Sequence, residues 1–126
     1  MTTAPQMLQI GLARMRVEED GETAVVTITG EVDIANAERI GEVLAGMSNL
    51  PHAVVLDLCA LDYLDSTGIS LVHELTHRLR TRAARLIVCC RPDSPPRRVL
   101  ELTALHTVTP VVDELGLAIE LARLAQ

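Results

Sequence analysis

The chain has no phenylalanine, no tryptophan and one tyrosine, Tyr63. Its core must therefore be aliphatic, and the aromatic platforms on which single-stranded nucleic acids stack are missing. Lysine is absent as well, so every basic side chain besides histidine is an arginine; nothing functional follows from that. With 11 basic against 17 acidic residues the net charge is -6, the wrong sign for a general nucleic-acid binder. No apolar run reaches the ~18 residues of a membrane span. The opening MTTAPQMLQI has neither the basic nor the apolar region of a secretory signal, so a cytoplasmic protein without membrane attachment is expected. Only three cysteines occur, Cys59, Cys89 and Cys90, which suits a reducing compartment. Two are adjacent and the third is distant, so no zinc-ribbon spacing exists, and they read as small buried hydrophobes. The phosphate loops GxxxxGK[ST] and GxGxxG and the hydrolase elbow GxSxG are also absent, so neither nucleotide binding nor serine hydrolysis is indicated.

What is present is a chain of 126 residues, 48% hydrophobic, enough for one domain with a real core. Residues 1–6 read as a loose tail and 7–126 as the domain. A weakly alternating stretch over 8–18 and the β-branched AVVTITG, Ala24–Gly30, predict a hairpin around the turn EEDGET. Asp33 is the expected N-cap of a first helix with apolar Ile40, Val43 and Leu44, ended by Pro51. AVVLDL, Ala53–Leu58, and RLIVCC, Arg85–Cys90, are the continuous apolar runs of strands buried on both faces. Between them a helix is expected from about Ser66 to Ala84. Ser94, followed by Pro95 at the first helical position, opens a third helix. A short strand is expected over His106–Thr109 and a last helix over Asp113–Leu124. Strands alternating with helices after an opening hairpin imply an α/β fold: one mixed sheet, otherwise parallel, with about four helices packed against it.

Two chemical motifs share the stretch LDYLDSTGISLVHELTH, residues 61–77. The first is HELTH, in which His73 and His77 lie on one helix face and could share a zinc ion, with Glu74 as general base. A catalytic zinc needs a third protein ligand. The extended HxxGxxH continuation is missing, and four arginines follow, Arg78, Arg80, Arg82 and Arg85, which repel a dication. No metal site and no catalytic residue are expected, and a zinc peptidase through His73, Glu74 and His77 is the remote alternative.

The second motif is DSTGI. Asp65, Ser66, Thr67 and Gly68 stand between a strand and an apolar helical repeat, and helix-start amides are unpaired and favour anions. Plain capping by Asp65 or Ser66 accounts for the same residues. Gly68 in the first turn suggests an accessible backbone. At ~100° per residue Ile69, Val72, Leu75 and Leu79 form the core side. Ser66, Ser70, His73 and His77 form a neighbouring stripe, so a partner docking at Ser66 would meet the histidines.

In context, VVLDLCALDYLDSTGIS resembles the signature of STAS domains, in particular bacterial anti-sigma factor antagonists. TGEVDIANAERI, Thr29–Ile40, resembles a second landmark of that family, and DSPPRRVLELTALHTVTPVVDEL its C-terminal part. The similarity covers roughly residues 8–122. It implies a STAS fold and a switch without enzymatic activity or cofactor. The unmodified form would bind an anti-sigma factor that is itself a GHKL-type ATPase and serine kinase, freeing the sigma factor. That kinase would phosphorylate the serine after Asp in DS[ST]G, here Ser66, and a PP2C-type phosphatase would reset it. Asp33 matches an acidic position near the phosphosite. Ser70 stands where Gly or another small residue is frequent, and Cys59 where Ser is common; neither removes the acceptor. The same fold serving another stress-signalling assembly is the alternative within the family.

Overall fold

The computed structural model describes residues 5–46, 52–103, 105–107 and 109–124. Residues 1–4 of the expected tail, the expected terminator Pro51 and Val108 of the expected late strand lie outside them. The elements run β1 (Gln6–Ile10), β2 (Ala13–Asp20), β3 (Thr23–Val32), α1 (Ala37–Ala45), β4 (Ala53–Asp57), β5 (Leu61–Leu64), α2 (Ser66–Arg80), β6 (Arg85–Cys89), α3 (Pro95–Leu102), a 3-10 turn (Leu105–Thr107), β7 (Val111–Val112) and α4 (Leu115–Leu124).

All seven strands join one mixed sheet in the order β1-β2-β3-β4-β6-β7, with β5 also beside β3. The first three strands pair antiparallel and the others parallel, the α/β arrangement expected. Every residue of β4 is buried. Val54 and Leu56 enter the larger core, under α1, α2 and α3, while Ala53 and Val55 face α4 on the other side. A continuous apolar strand is the consequence of being covered twice. The larger core is built of Val, Leu, Ile, Met and Ala together with Cys90, with no aromatic ring among its buried members. None of the described helices is long and apolar enough to cross a membrane.

Several expectations are corrected. The strand expected over 8–18 is two strands, broken at Gly11 and Leu12, and the first already begins at Gln6, inside the expected tail. Alternation cannot show that break, because β1 is an edge strand exposed on both faces. The helix expected to Ala84 stops at Arg80, and Ala83 follows with φ +57. Leu105–Thr107 is a 3-10 turn, and the edge strand falls later, at Val111–Val112. The four residues of β5 carried no signal of their own, since two of them are exposed.

Two glycines are dictated by backbone geometry. Gly21 turns the β2–β3 hairpin with φ +63, where a side chain is strained. Gly30 has φ +87 and sits where β3 shifts register against β5. A Cβ at Gly30 would run into the carbonyl oxygen of Leu12, and that oxygen accepts the Glu31 N–H at 3.1 Å.

Candidate functional site

The end of β3 and the start of α2 meet at one point. Asp65 N–H donates to the Val32 carbonyl at 3.3 Å, so β5 delivers the DSTG turn directly beside the VDIAN loop. Asp65 is the N-cap of α2, in extended conformation. Its Oδ1 accepts the Thr67 N–H at 3.0 Å and the Gly68 N–H at 3.3 Å. The same atom accepts the Thr67 hydroxyl in a short hydrogen bond. The Thr67 hydroxyl above all, with the Gly68, Thr67 and Ile34 amides, holds the Asp65 carboxyl below its ordinary range. The Asp65–Val32 bond thus sets the loop that carries Asp33 next to the start of α2.

Asp33 does not cap α1. That helix begins at Ala37 with Asn36 at its N-cap. The Asp33 side chain instead accepts the Ala35 N–H at 2.9 Å, and its carbonyl accepts the Asn36 and Ala37 amides. The buried Asn36 holds the loop in place. Its amide donates to the Glu31 and Ile10 carbonyls at 2.8 and 3.2 Å, and its Oδ1 accepts the Asp33 N–H at 3.0 Å. Such a clamp is unreadable in sequence, because its partners lie 26 residues apart in the chain as well as nearby.

Ser66 occupies the first helical position of α2 and is exposed. Its hydroxyl makes no side-chain hydrogen bond among the described residues, whereas the Thr67 hydroxyl is engaged and Thr67 is half-buried. Gly68 differs from the accessible position expected. It is buried, and a Cβ there would strike Leu64 and meet Val32 Cγ1 at 3.2 Å. The glycine lets the first turn of α2 lie against β5 and β3.

Further along α2, Ile69, Val72, Leu75 and Leu79 are buried as expected, and Ser70, His73 and His77 join Ser66 on the exposed side. The Ser70 hydroxyl donates back to the Ser66 carbonyl at 3.1 Å. Glu74 is paired with Arg78 at 2.8 Å, one turn on, so it is held by a cation rather than poised over a metal-bound water. No third His, Cys, Asp or Glu gathers with His73 and His77 among the described residues. Beside this stripe a groove of about 810 Å³ separates α1 from α2, lined among others by Ile34, Gly41, Thr67, Ser70 and Leu71. Ile34 is 80% exposed, a bare apolar side chain at the mouth of the site. It was not singled out in the sequence, although an isoleucine between Asp33 and Ala35, outside any apolar repeat, was the available signal.

The cysteines are only partly the buried hydrophobes expected. Cys89 and Cys90 are buried on opposite faces of the sheet, but Cys59 is half-buried. Folding also brings Cys59 next to Cys89, with Asp57 between them.

Removing the cap should be measurable. Asp65→Ala should lower stability by about 0.5–2 kcal/mol near neutral pH. Because the folded carboxyl is held below its unfolded value, this contribution is complete above the ordinary carboxylate range and is lost as pH falls through the lowered value. Thermal melts of both proteins should therefore differ most near neutrality and converge in acid.

Three known proteins share this arrangement in sequence or structure. BtrV of Bordetella bronchiseptica is 32% identical over 91 residues, covering 71% of this chain and 77% of its own length. The anti-sigma-F factor antagonist RsfB of Mycobacterium tuberculosis is 34% identical over 67 residues, half of this chain and 52% of RsfB. An anti-sigma factor antagonist from Mycobacterium paratuberculosis superposes with a TM-score of 0.76 at 26% identity, over 95% of both chains. The STAS domain family matches residues 14–118. From the β2 strand through the capped DSTG turn to α4, the chain belongs to the STAS domain family.

Proposed function

We propose that this chain is an anti-sigma factor antagonist whose binding is switched off by phosphorylation of Ser66. Its single domain takes in the edge strand that begins at Gln6. The unmodified protein binds, in the cytoplasm, an anti-sigma factor of the GHKL serine-kinase type and releases the sigma factor held by it. The kinase transfers phosphate to Ser66, and a PP2C-type phosphatase removes it. The chain is a binding switch and not an enzyme, with no cofactor and no direct contact to nucleic acid or membrane. RsfB and the Mycobacterium paratuberculosis protein carry the antagonist role in their names. The surface offered to the partner is formed by Asp33, Ile34, Asp65, Ser66, Thr67, Ser70, His73 and His77.

The observation that carries this reading is the contrast between two adjacent hydroxyls. Ser66 presents an exposed Oγ, without a side-chain hydrogen bond among the described residues, at a helix N-terminus, where the helix dipole favours an added anion. Thr67 has its Oγ bonded to the capping Asp65, so phosphorylating it would dismantle the cap. Incubation with the anti-sigma kinase and ATP should therefore add one phosphate, mapped by peptide mass spectrometry to Ser66. Ser66→Ala should abolish labelling and keep kinase binding, and Thr67→Val should still be labelled. Phosphate found on Thr67 or Ser70 would sink the assignment.

A further inference from the structure

The face of the sheet away from α2 carries a second group of reactive side chains that the switch does not use. Asp57 ends β4 and lies in register with Cys89 at the end of β6, so both side chains emerge on the α4 side. The Cys89 thiol donates to Asp57 Oδ1 at 3.3 Å. Cys59, two residues past β4, is folded back over the pair because its N–H donates to the same Oδ1 at 3.0 Å. The Leu58 N–H donates to the Cys89 carbonyl at 2.8 Å, which extends the ladder and fixes the turn. Both sulfurs and a carboxylate oxygen lie within 4.8 Å of one another.

From this geometry we infer that Asp57, Cys59 and Cys89 form a binding site for one thiophilic divalent cation of the zinc class. Tetrahedral zinc takes sulfur at about 2.3 Å and carboxylate oxygen at about 2.0–2.2 Å, which sets ligand-to-ligand separations of about 3.6–3.8 Å. The Asp57–Cys89 separation of 3.3 Å is within tenths of an ångström of that value, and the Cys59 sulfur lies no more than 4.8 Å from either atom. Two of the three donors sit on paired strands, the rigid support that a metal site needs. On binding, each thiol gives its proton to solvent and each sulfur donates a lone pair to the cation. The carboxylate, which suits zinc better than a monovalent soft ion, keeps the Cys59 N–H.

Both thiols are held in the protonated form, so a cation must compete with their protons. Burial, then the hydrogen bond and charge of Asp57, push the Cys59 thiol up to about 11. Burial and Asp57 push Cys89 up as well. Such cysteines are poor nucleophiles, but a dication turns the negative charge of Asp57 from a penalty into an attraction. The zinc-ribbon test applied to sequence missed the group because its ligands come from two strands that only the parallel ladder aligns.

The test is a titration of the reduced, metal-free full chain with cobalt(II), followed by displacement with zinc. One equivalent should bind with the intense near-ultraviolet band of sulfur-to-cobalt charge transfer, and zinc should abolish the band. Cys59→Ser, at a half-buried position that the fold tolerates, should lose the band, as should Cys89→Ser. Asp57→Asn, whose amide oxygen still accepts the Cys59 N–H, should weaken binding by about tenfold or more. Cys90→Ser should bind like the parent, and thermal melts establish that each variant is folded. A reduced chain that shows no band, a band that survives Cys59→Ser, or cobalt held without a band and lost in His73→Ala would each overturn the inference.

Discussion

Phosphorylation of Ser66 should lower affinity for the anti-sigma kinase by roughly 10- to 1000-fold, equivalent to about 1.4–4 kcal/mol, without unfolding the protein. The added group carries about -1.5 to -2 charge at pH 7. Within its own chain it sits at the N-terminal end of the α2 dipole, where negative charge is mildly stabilising, by about 0.3–1 kcal/mol. The effect must therefore fall on the partner. Asp65 caps the helix that Ser66 begins, and the exposed apolar Ile34 lines the same groove as Thr67. A phosphate there adds bulk, like charge and a hydration shell at the mouth of the docking surface. Ser66→Asp, with one charge in place of nearly two, should weaken binding partially while its melting temperature holds or rises slightly. His73→Ala and His77→Ala should each weaken binding modestly, because both lie on the exposed side of the helix that Ser66 begins. A Ser66→Asp protein that melts several degrees lower would mean that the switch acts through the fold.

Gly30→Ala should be the most damaging single methyl group in the chain. The residue holds φ +87, strained for any side chain by about 1–3 kcal/mol. The new Cβ would also collide with the Leu12 carbonyl oxygen, which is backbone and cannot rotate aside. Overpacking of this kind typically adds another ~1–3 kcal/mol. The damage would not stay local. Glu31 N–H is bonded to that same oxygen, and the Glu31 carbonyl anchors Asn36, which holds the Asp33 loop. Urea unfolding should show a loss of about 2–6 kcal/mol, and kinase binding should weaken along with it. By contrast Gly116, where a Cβ would meet nothing within 4 Å, should tolerate alanine with little change.

How much of this was legible in the residues depends on the distance over which each signal acts. Local signals were reliable. β4 and β6 announced themselves as unbroken apolar runs because both faces of the central sheet are covered. Ser94 and Pro95 marked α3 because capping is settled within one turn, and Ser94 does accept the Arg97 N–H. The exposed stripe was visible because helical periodicity places Ser66, Ser70, His73 and His77 together, whereas the reading of Ser66 as a phosphoacceptor came from the family resemblance. Features fixed by tertiary contact were not visible. Asp33 has the chemistry of an N-cap, yet the buried Asn36 takes that place because its amide also closes β1 onto β3. Gly68 looked like open backbone, whereas it is the space into which Leu64 packs. β7 was placed too early because two residues of edge strand carry no periodicity. Cys59 and Cys89 are 30 positions apart in the numbering, and only the register of β4 with β6 makes them neighbours.

Isothermal titration of the anti-sigma kinase with unmodified protein and with protein phosphorylated at Ser66 measures the proposed switch most directly. The unmodified chain should bind tightly, and the phosphorylated chain should bind roughly 10- to 1000-fold more weakly at an unchanged or slightly higher melting temperature. Equal affinity for the two forms would contradict the account.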